Sequence, residues 1–380
     1  MKFVHLSDLH LGKRLDEFSL IEDLRDILDK ILTVIRAEKP DAVIIAGDVY
    51  DKSIPSAEAV QLFDQFLVSL AKAGPQIFVI SGNHDSPERI AFASRLMTSS
   101  GVHLSPVYDG TIVPVSLDDA FGQVNIYLLP FIKPVHVRQS FPDEADKIAT
   151  YTDAIRTVVS HMQLDPSKRN ILVTHQFVAG ATQSSSEDAS VGGLNVVSAD
   201  VFEPFDYVAL GHIHGAQNVG SEKIRYCGTP LKYSFSEAQQ EKSITVITLE
   251  EKGSLSQKII PLQPLRDLRD LRGSYMELMA KKDGEERICT DYLRITLTDE
   301  EEIPNAIGKL RLRYPNLMKL LYDNTRTRSR AQISGAEGIE QKSPLELFRE
   351  LYEKQNGQPM SDEQAVYAEK EMERILEENT

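Results

Sequence analysis

The stretch IIAGDVYD, residues 44–51, decides the fold that the sequence predicts. An apolar run over residues 42–46 leads straight into Gly47 and Asp48. A short, β-branched run of this kind is typical of a strand that is buried on both faces. Gly47 allows a sharp turn, so Asp48 is expected at the carboxyl end of a central strand, where open α/β sheets bind ligands. An aspartate at this point can also simply cap a turn. The other strand ends decide between these interpretations.

Length and composition indicate a globular protein with more than one domain. The chain has 380 residues, more than one hydrophobic core usually supports. No apolar run approaches the length of a membrane span, and residues 1–6 enter a strand-like run with no signal-peptide pattern. Cys227 and Cys289 are far apart and neither belongs to a CxxC pair, which argues against a disulfide framework or a zinc site. A cytoplasmic protein is therefore expected.

The charge of the whole chain says little about its partners. The net charge is −15, which by itself argues against nucleic acid. Much of it lies in residues 336–380, which hold twelve acidic and five basic residues. An acidic active site would also carry bound cations, and these reverse the local field.

Strands and helices alternate along the first 100 residues, as in a βαβ unit. Apolar side chains recur at helical spacing between residues 20 and 35, and Ser56 is a plausible N-cap for the second helix. The apolar face of that helix is expected to include Val60, Phe63, Leu67 and Leu70. The sequence predicts strands over 2–7, 42–46 and 76–81, with helices over 20–35, 57–71 and from Pro87 to about Met97. Farther on it predicts a hairpin in 110–130, a helix over 148–162, strands over 169–174, 207–210, 224–227 and 243–248, and a mobile loop over 179–194.

Polar residues with ligand or acid–base chemistry follow five of these strands. They are Asp8 and His10, Asp48, Asn83 and His84, His175, and His212 and His214. Asp8 and His10 would lie on the same side of an extended backbone. One strand-end histidine alone would mean little, but five of the chain's nine histidines occupy such ends. The pattern predicts one shared site, and the remaining four are expected to be surface or satisfied core histidines: His5, His103, His136 and His161.

The residue types suit a pair of divalent cations. Two such ions can clamp the attacking and leaving oxygens of a displacement at phosphorus, and a water between them can act as the nucleophile. Asp48, from the middle strand, is the natural bridging carboxylate. Neutral imidazoles and an amide oxygen complete the ligand set without adding charge that would repel a phosphate. Mixed nitrogen and oxygen ligands suit manganese, iron or zinc.

The motifs DLH at 8–10, GDVYD at 47–51, GNHD at 82–85 and GHIH at 211–214, together with His175, resemble calcineurin-like metallophosphoesterases. The resemblance implies an α/β fold in which a two-sheet β-sandwich is flanked by helices. One metal would be held by Asp8, His10, Asp48 and His214, and the other by Asp48, Asn83, His175 and His212. His84 would act on the scissile phosphate or the leaving oxygen as the catalytic residue, with Asp51 and Asp85 behind the ligands, where they could orient imidazoles.

A narrower resemblance covers nearly the whole chain. The stretches DLHLGK at 8–13, SRL at 94–96 and GTPLKYSFSE at 228–237 are similar to those of the SbcD family of bacterial nuclease subunits. General phosphoesterases lack the last of these stretches. Membership implies a manganese-dependent 3′–5′ exonuclease on duplex DNA and an endonuclease on single strands or hairpins. It also implies a homodimer that joins the ATPase SbcC in a heterotetramer for DNA repair, recombination and replication.

The later segments predict two further domains. Residues 1–272 would form the nuclease domain and 273–335 a capping, DNA-contacting domain, with strands over 292–297 and 317–322 and a helix over 304–314. Arg326, Arg328 and Arg330 are either a solvated linker or a phosphate contact. Residues 336–380 carry two capping boxes and two apolar stripes, and by the resemblance they would bind the coiled-coil base of SbcC.

Other functions are compatible with the same metal site. A phosphoprotein phosphatase or a cyclic-nucleotide phosphodiesterase would need the same ligands, although the extra domain and tail argue against a minimal phosphatase. A non-catalytic scaffold on this fold would be expected to have lost ligands, and none is missing from the motifs.

Overall fold

The computed structural model describes residues 1–184, 196–280 and 288–325 and, beyond these, residues 345, 348–349, 352–353, 359–361, 364–368 and 371. Arg326, Arg328 and Arg330 lie outside the described residues. So do most of the predicted helices of 336–380 and most of the predicted loop over 179–194.

The described residues form seventeen strands and eight α-helices. The strands are β1 (Lys2–Leu6), β2 (Arg14–Leu15), β3 (Phe18–Ser19), β4 (Ala42–Ala46), β5 (Gln76–Ile80), β6 (Val102–Leu104), β7 (Val115–Asp119), β8 (Gly122–Leu129), β9 (Arg169–His175), β10 (Tyr207–Gly211), β11 (Gln217–Val219), β12 (Ser221–Tyr226), β13 (Ser243–Leu249), β14 (Leu255–Pro261), β15 (Leu268–Gly273), β16 (Tyr292–Leu297) and β17 (Leu317–Tyr322). The helices are α1 (Ile21–Glu38), α2 (Ala57–Ala73), α3 (Pro87–Ile90), α4 (Ser94–Met97), α5 (Pro134–Ser140), α6 (Tyr151–His161), α7 (Tyr275–Met279) and α8 (Ala306–Arg311).

Two mixed six-stranded sheets form the main body, as the resemblance implied. The first has the order β14-β13-β1-β4-β5-β6 and the second β11-β12-β10-β9-β8-β7. Strands β1, β4, β5 and β6 are parallel, as are β8, β9, β10 and β12. Because parallel strands point the same way, their carboxyl ends share one edge, and the predicted site residues lie at that edge.

Apolar side chains bury both faces of each sheet. Residues of the two sheets, among them Phe3, Ile44, Ile171 and Ala209, form one cluster. Two further clusters lie on the other faces, one against α1 and α2 and the other against α5 and α6. Strand β4 is buried at every position, which is why its sequence is a continuous apolar run and not an alternating one.

Helix α2 begins as predicted and buries most of the predicted face, with Val60 as the exception. The Ser56 side chain accepts a hydrogen bond from the Ala59 amide, so Ser56 is the N-cap. Phe63 and Leu70 are buried as expected, but Val60 is exposed, and Leu62 and Phe66 take part in the core. The apolar stripe of this helix is wider than one spacing pattern, so periodicity alone misplaced Val60.

Two local predictions were wrong. The helix predicted from Pro87 to about Met97 is two short helices, α3 and α4, because Ala93 adopts a left-handed conformation with φ of 58°. Asp8 and His10 do not continue an extended strand, since β1 ends at Leu6 and both residues have positive φ. They lie together through a loop instead.

The chain divides into two compact units by its internal packing. One comprises residues 1–272, 276–296 and 305–321, and the other 273–275, 297–304 and 322–380. Strands β15, β16 and β17 form a three-stranded sheet; β16 and β17 occur over the predicted residues, whereas β15 was not anticipated and spans the predicted boundary at 272/273. The three domain ranges stay predictions. In the described part of the chain, no helix is long and apolar enough to cross a membrane.

Candidate metal centre

The loops that follow β1 and β4 are bonded to each other beside the site. The Asp8 amide donates to the Gly47 carbonyl at 3.0 Å, and the His10 amide donates to the Asp48 carbonyl at 3.0 Å. In the second sheet Gly211 pairs with His175 across β10 and β9. These backbone hydrogen bonds and strand pairs fix the positions of the polar residues that follow the strands.

Four of the predicted ligands have a backbone conformation that side chains rarely adopt. The φ angles are 53° at Asp8, 45° at His10, 48° at Asp48 and 99° at His212. Such conformations cost about 1–3 kcal/mol each and cluster at functional sites, where the surrounding packing enforces them. No pattern in the sequence indicated that these four residues adopt positive φ.

Glycines beside the ligands leave the space that these side chains occupy. A Cβ on Gly82 would lie 2.1 Å from Asp48 Oδ1. A Cβ on Gly211 would lie 1.9 Å from the Ala46 carbonyl oxygen and 2.6 Å from His175 Nδ1. Any larger residue at 82 or 211 must displace a ligand or the strand behind it.

The Asp48 carboxylate lies among three imidazoles. Its Oδ2 is 3.3 Å from His175 Nε2, 3.7 Å from His10 Nε2 and 4.0 Å from His84 Nε2. Its Oδ1 accepts the His84 amide at 2.9 Å. Asp8 is fully buried and accepts the His212 amide on both oxygens, at 3.0 and 3.1 Å. Both carboxylates face the same imidazole, since His175 Nε2 is 4.0 Å from Asp8 Oδ1 and 3.3 Å from Asp48 Oδ2.

Asn83 joins two of the histidines. Its Oδ1 lies 3.0 Å from His175 Nε2 and 2.9 Å from His212 Nδ1. The other nitrogen of His175, Nδ1, donates to the Ala46 carbonyl at 2.8 Å. That bond commits Nδ1 to the backbone and leaves Nε2 facing the site, as the outer hydrogen bond of a metal-binding histidine does.

Asp51 and Asp85 lie behind the ligands, but Asp51 faces an imidazole whereas Asp85 accepts backbone amides. Asp51 Oδ1 is 3.6 Å from His10 Nδ1 and 2.8 Å from Lys13 Nζ. Asp85, in contrast, accepts the amides of residues 49, 50 and 82 at 2.9–3.1 Å. Asp85 therefore ties the loop after β4 to the loop after β5, whereas the sequence suggested that it could orient an imidazole.

The electrostatics of the site are those of a cation-binding cluster. Burial opposes ionisation of Asp48, but the imidazoles of His175 and His10 hold the pKa of its carboxyl well below its usual range. Burial also opposes the charge on His175, and the carboxylates beside it nevertheless raise its pKa to about 9. Burial and the positive charge of His175 lower the pKa of His212 to about 3. Burial and the charge of Asp48 raise the pKa of Asp85 to about 6.

The residues present fit divalent cations. Among the described residues, three groups have ligand atoms within 4.8 Å of one another. They are Asp8, His10 and His214; His10, Asp48 and His84; and Asp8, Asp48 and His175. Both ring nitrogens of the buried His10 lack a hydrogen-bond partner, which is costly in a protein interior unless another group satisfies them. Oxygen and imidazole donors without thiolates suit a divalent metal of the manganese, iron or zinc type.

The other four histidines have separate partners. His5 Nδ1 is 2.9 Å from the Tyr207 hydroxyl, and His161 Nε2 is 2.7 Å from Glu144. His103 stacks on a phenylalanine, and the His136 ring accepts a backbone amide. None of the four belongs to a group of potential metal ligands in the described ranges, as expected.

The sequence analysis did not identify two residues that contact the proposed ligands His10 and His214. Tyr233 lies edge-on to His10 and His214, with ring centroids 5.3 and 5.8 Å apart. Glu237 Oε1 accepts from His214 Nδ1 at 3.1 Å. Both belong to the stretch at 228–237 that carried the narrower resemblance, which was the available signal.

Similar proteins show the family to which this chain belongs. The family model described as calcineurin-like phosphoesterase matches residues 1–216. The SbcD subunit of the SbcCD nuclease of Staphylococcus saprophyticus is 32% identical over 385 residues, and the match covers 100% of each chain. The chain belongs to the SbcD family. The corresponding SbcCD nuclease subunit of Staphylococcus epidermidis is 33% identical and matches 88% of this chain and 89% of its own.

Two further comparisons concern parts of the chain. The model described as type 5 capsule protein repressor C-terminal domain, which carries the SbcD name, matches residues 264–356. A crystal structure of a dimetal phosphatase from Danio rerio aligns with 70% of this chain and 98% of its own, at 13% identity and a TM-score of 0.44. The phosphoesterase match ends at residue 216, so every predicted ligand lies within it.

Proposed function

We propose that this SbcD-family protein is a dimetal-dependent DNA nuclease that hydrolyses phosphodiester bonds together with an SbcC-type ATPase. The observation that carries the proposal is the convergence of five strand ends on one buried group of carboxylates, imidazoles and an amide. The two Staphylococcus relatives are named as subunits of the SbcCD nuclease, and these names support the substrate and the partner.

The chain's donors divide into two sets around Asp48. Asp8, His10, Asp48 and His214 would hold one ion, and Asp48, Asn83, His175 and His212 the other. When bound, two divalent ions supply Lewis acidity at the phosphate and lower the pKa of the attacking water. Manganese is proposed as the ion, because a mixed set of imidazoles and oxygens without thiolates accepts it.

His84 is proposed as the catalytic residue at the substrate. Its side chain is 30% exposed, whereas the side chains of His10 and His175 are at most 1% exposed. Its Nδ1 donates to the Asp51 carbonyl at 3.0 Å, so the other ring nitrogen, Nε2, is the one left to meet a phosphate or leaving oxygen. A residue held in this way can donate a proton or a hydrogen bond in the transition state.

One assay separates the proposed activity from the alternatives. Purified chain with Mn²⁺ should degrade linear duplex DNA from its 3′ ends and cleave hairpins, and it should be slow on a phosphopeptide and on cyclic AMP. A preference for the phosphopeptide or for cyclic AMP would reject the nuclease proposal and assign a different phosphoesterase activity to the protein. Chelation followed by return of Mn²⁺, Fe²⁺ or Zn²⁺ identifies the metal that supports the rate.

The partner ATPase is proposed to bind the C-terminal segment, residues 336–380. Its sequence predicts two capped amphipathic helices that are too short to be stable alone, and the helix-in-groove mode would bury their apolar stripes. Deleting residues 336–380 should leave metal content and basal nuclease activity largely intact and should sharply reduce copurification with an SbcC-type ATPase. Replacing Leu347 and Leu351 by aspartate should have the same effect, whereas neutralising Glu377 and Glu378 should not. Retention of the partner by the truncated chain would contradict this role.

Two copies of the chain are proposed to form a homodimer through helices α3 and α4. Phe92, in the turn between the two helices, is 79% exposed and Leu96, in α4, is 78% exposed. Exposed apolar patches of this kind mark interaction surfaces. A Phe92→Ser, Leu96→Ser variant should sediment as a monomer while a Val68→Ser variant, which changes an exposed residue of α2, should not. A dimer that survives the double change would place the interface elsewhere.

A further inference from the structure

The segment Gly228–Lys242 packs against one side of the metal centre. It lies between the two regions matched by family models, residues 1–216 and 264–356. Tyr233, within it, donates its hydroxyl to the Leu9 carbonyl at 2.6 Å and places its ring against His10 and His214. The segment therefore touches two proposed ligands without supplying one.

The backbone of His214 is fixed by this segment at a single carbonyl. The Thr229 amide and Lys242 Nζ both donate to that oxygen, at 3.1 and 3.0 Å. Gly228 has a φ of +76°, and a Cβ there would lie 2.7 Å from the same oxygen. Only a glycine at residue 228 lets its backbone approach the backbone of His214 this closely.

The ring of His214 is fixed by a buried carboxylate. Its Nδ1 donates to Glu237 Oε1 at 3.1 Å, and Glu237 is 0% exposed. The second oxygen of Glu237, Oε2, accepts from Lys242 Nζ at 2.6 Å, and Lys242 also donates to Gln240 Oε1 at 2.7 Å. A carboxylate in such a place is stable only because the lysine neutralises it and its hydrogen bonds are satisfied.

We infer that Glu237 is a positioning residue for the metal ligand His214, in a chain Lys242–Glu237–His214 that holds the imidazole tautomer and ring orientation. The inference rests on the proposed metal site. Because Nδ1–H is committed to the carboxylate, metal binding falls to Nε2. A carboxylate behind a ligating imidazole also makes that imidazole a stronger donor, and losing such a partner costs roughly 10–100-fold in metal affinity or activity.

Glu237→Gln tests the charge while keeping the size of the side chain. The experiment titrates the chelator-treated full-length chain with Mn²⁺ and follows free Mn²⁺ by electron paramagnetic resonance. Wild type should bind two ions, and the variant should bind one of them about 10–100-fold more weakly. At saturating Mn²⁺ the KM for duplex DNA should stay unchanged while kcat falls, because Glu237 contacts a ligand and not the DNA.

A double variant separates positioning from stability. Glu237→Gln alone leaves the Lys242 ammonium buried without its carboxylate, and the loss of stability could disturb the site indirectly. Glu237→Gln combined with Lys242→Met removes both charges. We expect the melting temperature of the metal-free chain to recover toward wild type while the weak Mn²⁺ site stays weak. Recovery of affinity along with stability would show that the pair is only structural.

Asp206→Asn is the matched control. Asp206 is also a buried carboxylate paired with a lysine, since its Oδ2 lies 2.9 Å from Lys252 Nζ, and it accepts the Asn170 amide at 2.8 Å. It precedes β10, at the opposite end of the strand from His212, six residues and about 20 Å away at about 3.3 Å per residue. This variant should bind both ions like wild type.

The outcomes distinguish the two proposals. If wild type binds no Mn²⁺, the proposed function fails and the inference fails with it. If wild type binds two ions and Glu237→Gln and the double variant bind them equally well, only the inference is overturned. A weakened site in Asp206→Asn as well would show that any buried carboxylate has this effect, and it would also overturn the inference.

Discussion

Replacing Asp48 by asparagine should remove most of the metal affinity and leave the fold intact. The amide has nearly the shape of the carboxylate, and its oxygen can still accept the His84 amide that now bonds to Oδ1 at 2.9 Å. The change falls on Oδ2, which faces His175 Nε2 at 3.3 Å and His10 Nε2 at 3.7 Å. A cation bound by those nitrogens loses a full negative charge at this range.

The size of the effect follows from that distance. Two unit charges about 4 Å apart interact by about 4 kcal/mol at an effective dielectric constant of about 20. A divalent ion doubles this energy, so the lost carboxylate charge is worth at least about 4 kcal/mol, or about 10³-fold in affinity. With Mn²⁺ present at about 1,000 times the wild-type Kd, binding stabilises the fold by about 4 kcal/mol. In Asp48→Asn nearly all of this stabilisation should disappear.

The assay compares thermal unfolding of the chelated chain with and without Mn²⁺, together with the metal content after desalting. Wild type should melt higher with Mn²⁺, whereas Asp48→Asn should show little shift and no nuclease activity. Asp64→Asn, an exposed change on α2, should behave like wild type. Two tightly bound ions with normal activity in Asp48→Asn would refute the assignment of Asp48 as the bridging ligand.

Three other substitutions test separate parts of the molecule. His84→Ala should retain both ions and DNA binding while the single-turnover rate falls about 10²-fold or more; loss of an ion on metal analysis would make His84 a ligand. Burial lowers the pKa of His5 from 6.5 to about 3, so only the unfolded chain binds this proton between those values, and stability is lost as the pH falls through that range. His5→Gln should therefore reduce the pH dependence of the free energy of unfolding, obtained from denaturant titrations, by about 1.4 kcal/mol per pH unit near pH 5, and parallel curves for the two proteins would contradict this. Tyr292 donates its hydroxyl to the buried Asp23 at 2.8 Å, so Tyr292→Phe should cost about 1–3 kcal/mol in the free energy of unfolding, and an unchanged urea midpoint would show that the bond contributes nothing.

The sequence by itself determined most of the buried strands and the two long N-terminal helices, and it singled out the strand-end residues that are proposed as ligands. Apolar runs over residues 42–46 and 76–81 marked buried strands to within a residue, because a strand covered on both faces has few alternatives to a continuous apolar sequence. Strands at 292–297 and 317–322 were predicted with their observed bounds. The shared site was predictable from the polar residues that follow the strands, because the carboxyl ends of parallel strands lie at one edge of a sheet.

Only the tertiary structure decided how the ligands are held. The left-handed conformations of Asp8, His10 and His212 are imposed by packing between loops that are distant in sequence, and no local pattern encodes them. The same holds for Glu237, whose partner His214 lies 23 residues earlier in the chain. A side chain's protonation and orientation depend on which groups surround it in space, and periodicity reports only which face of its own element it occupies.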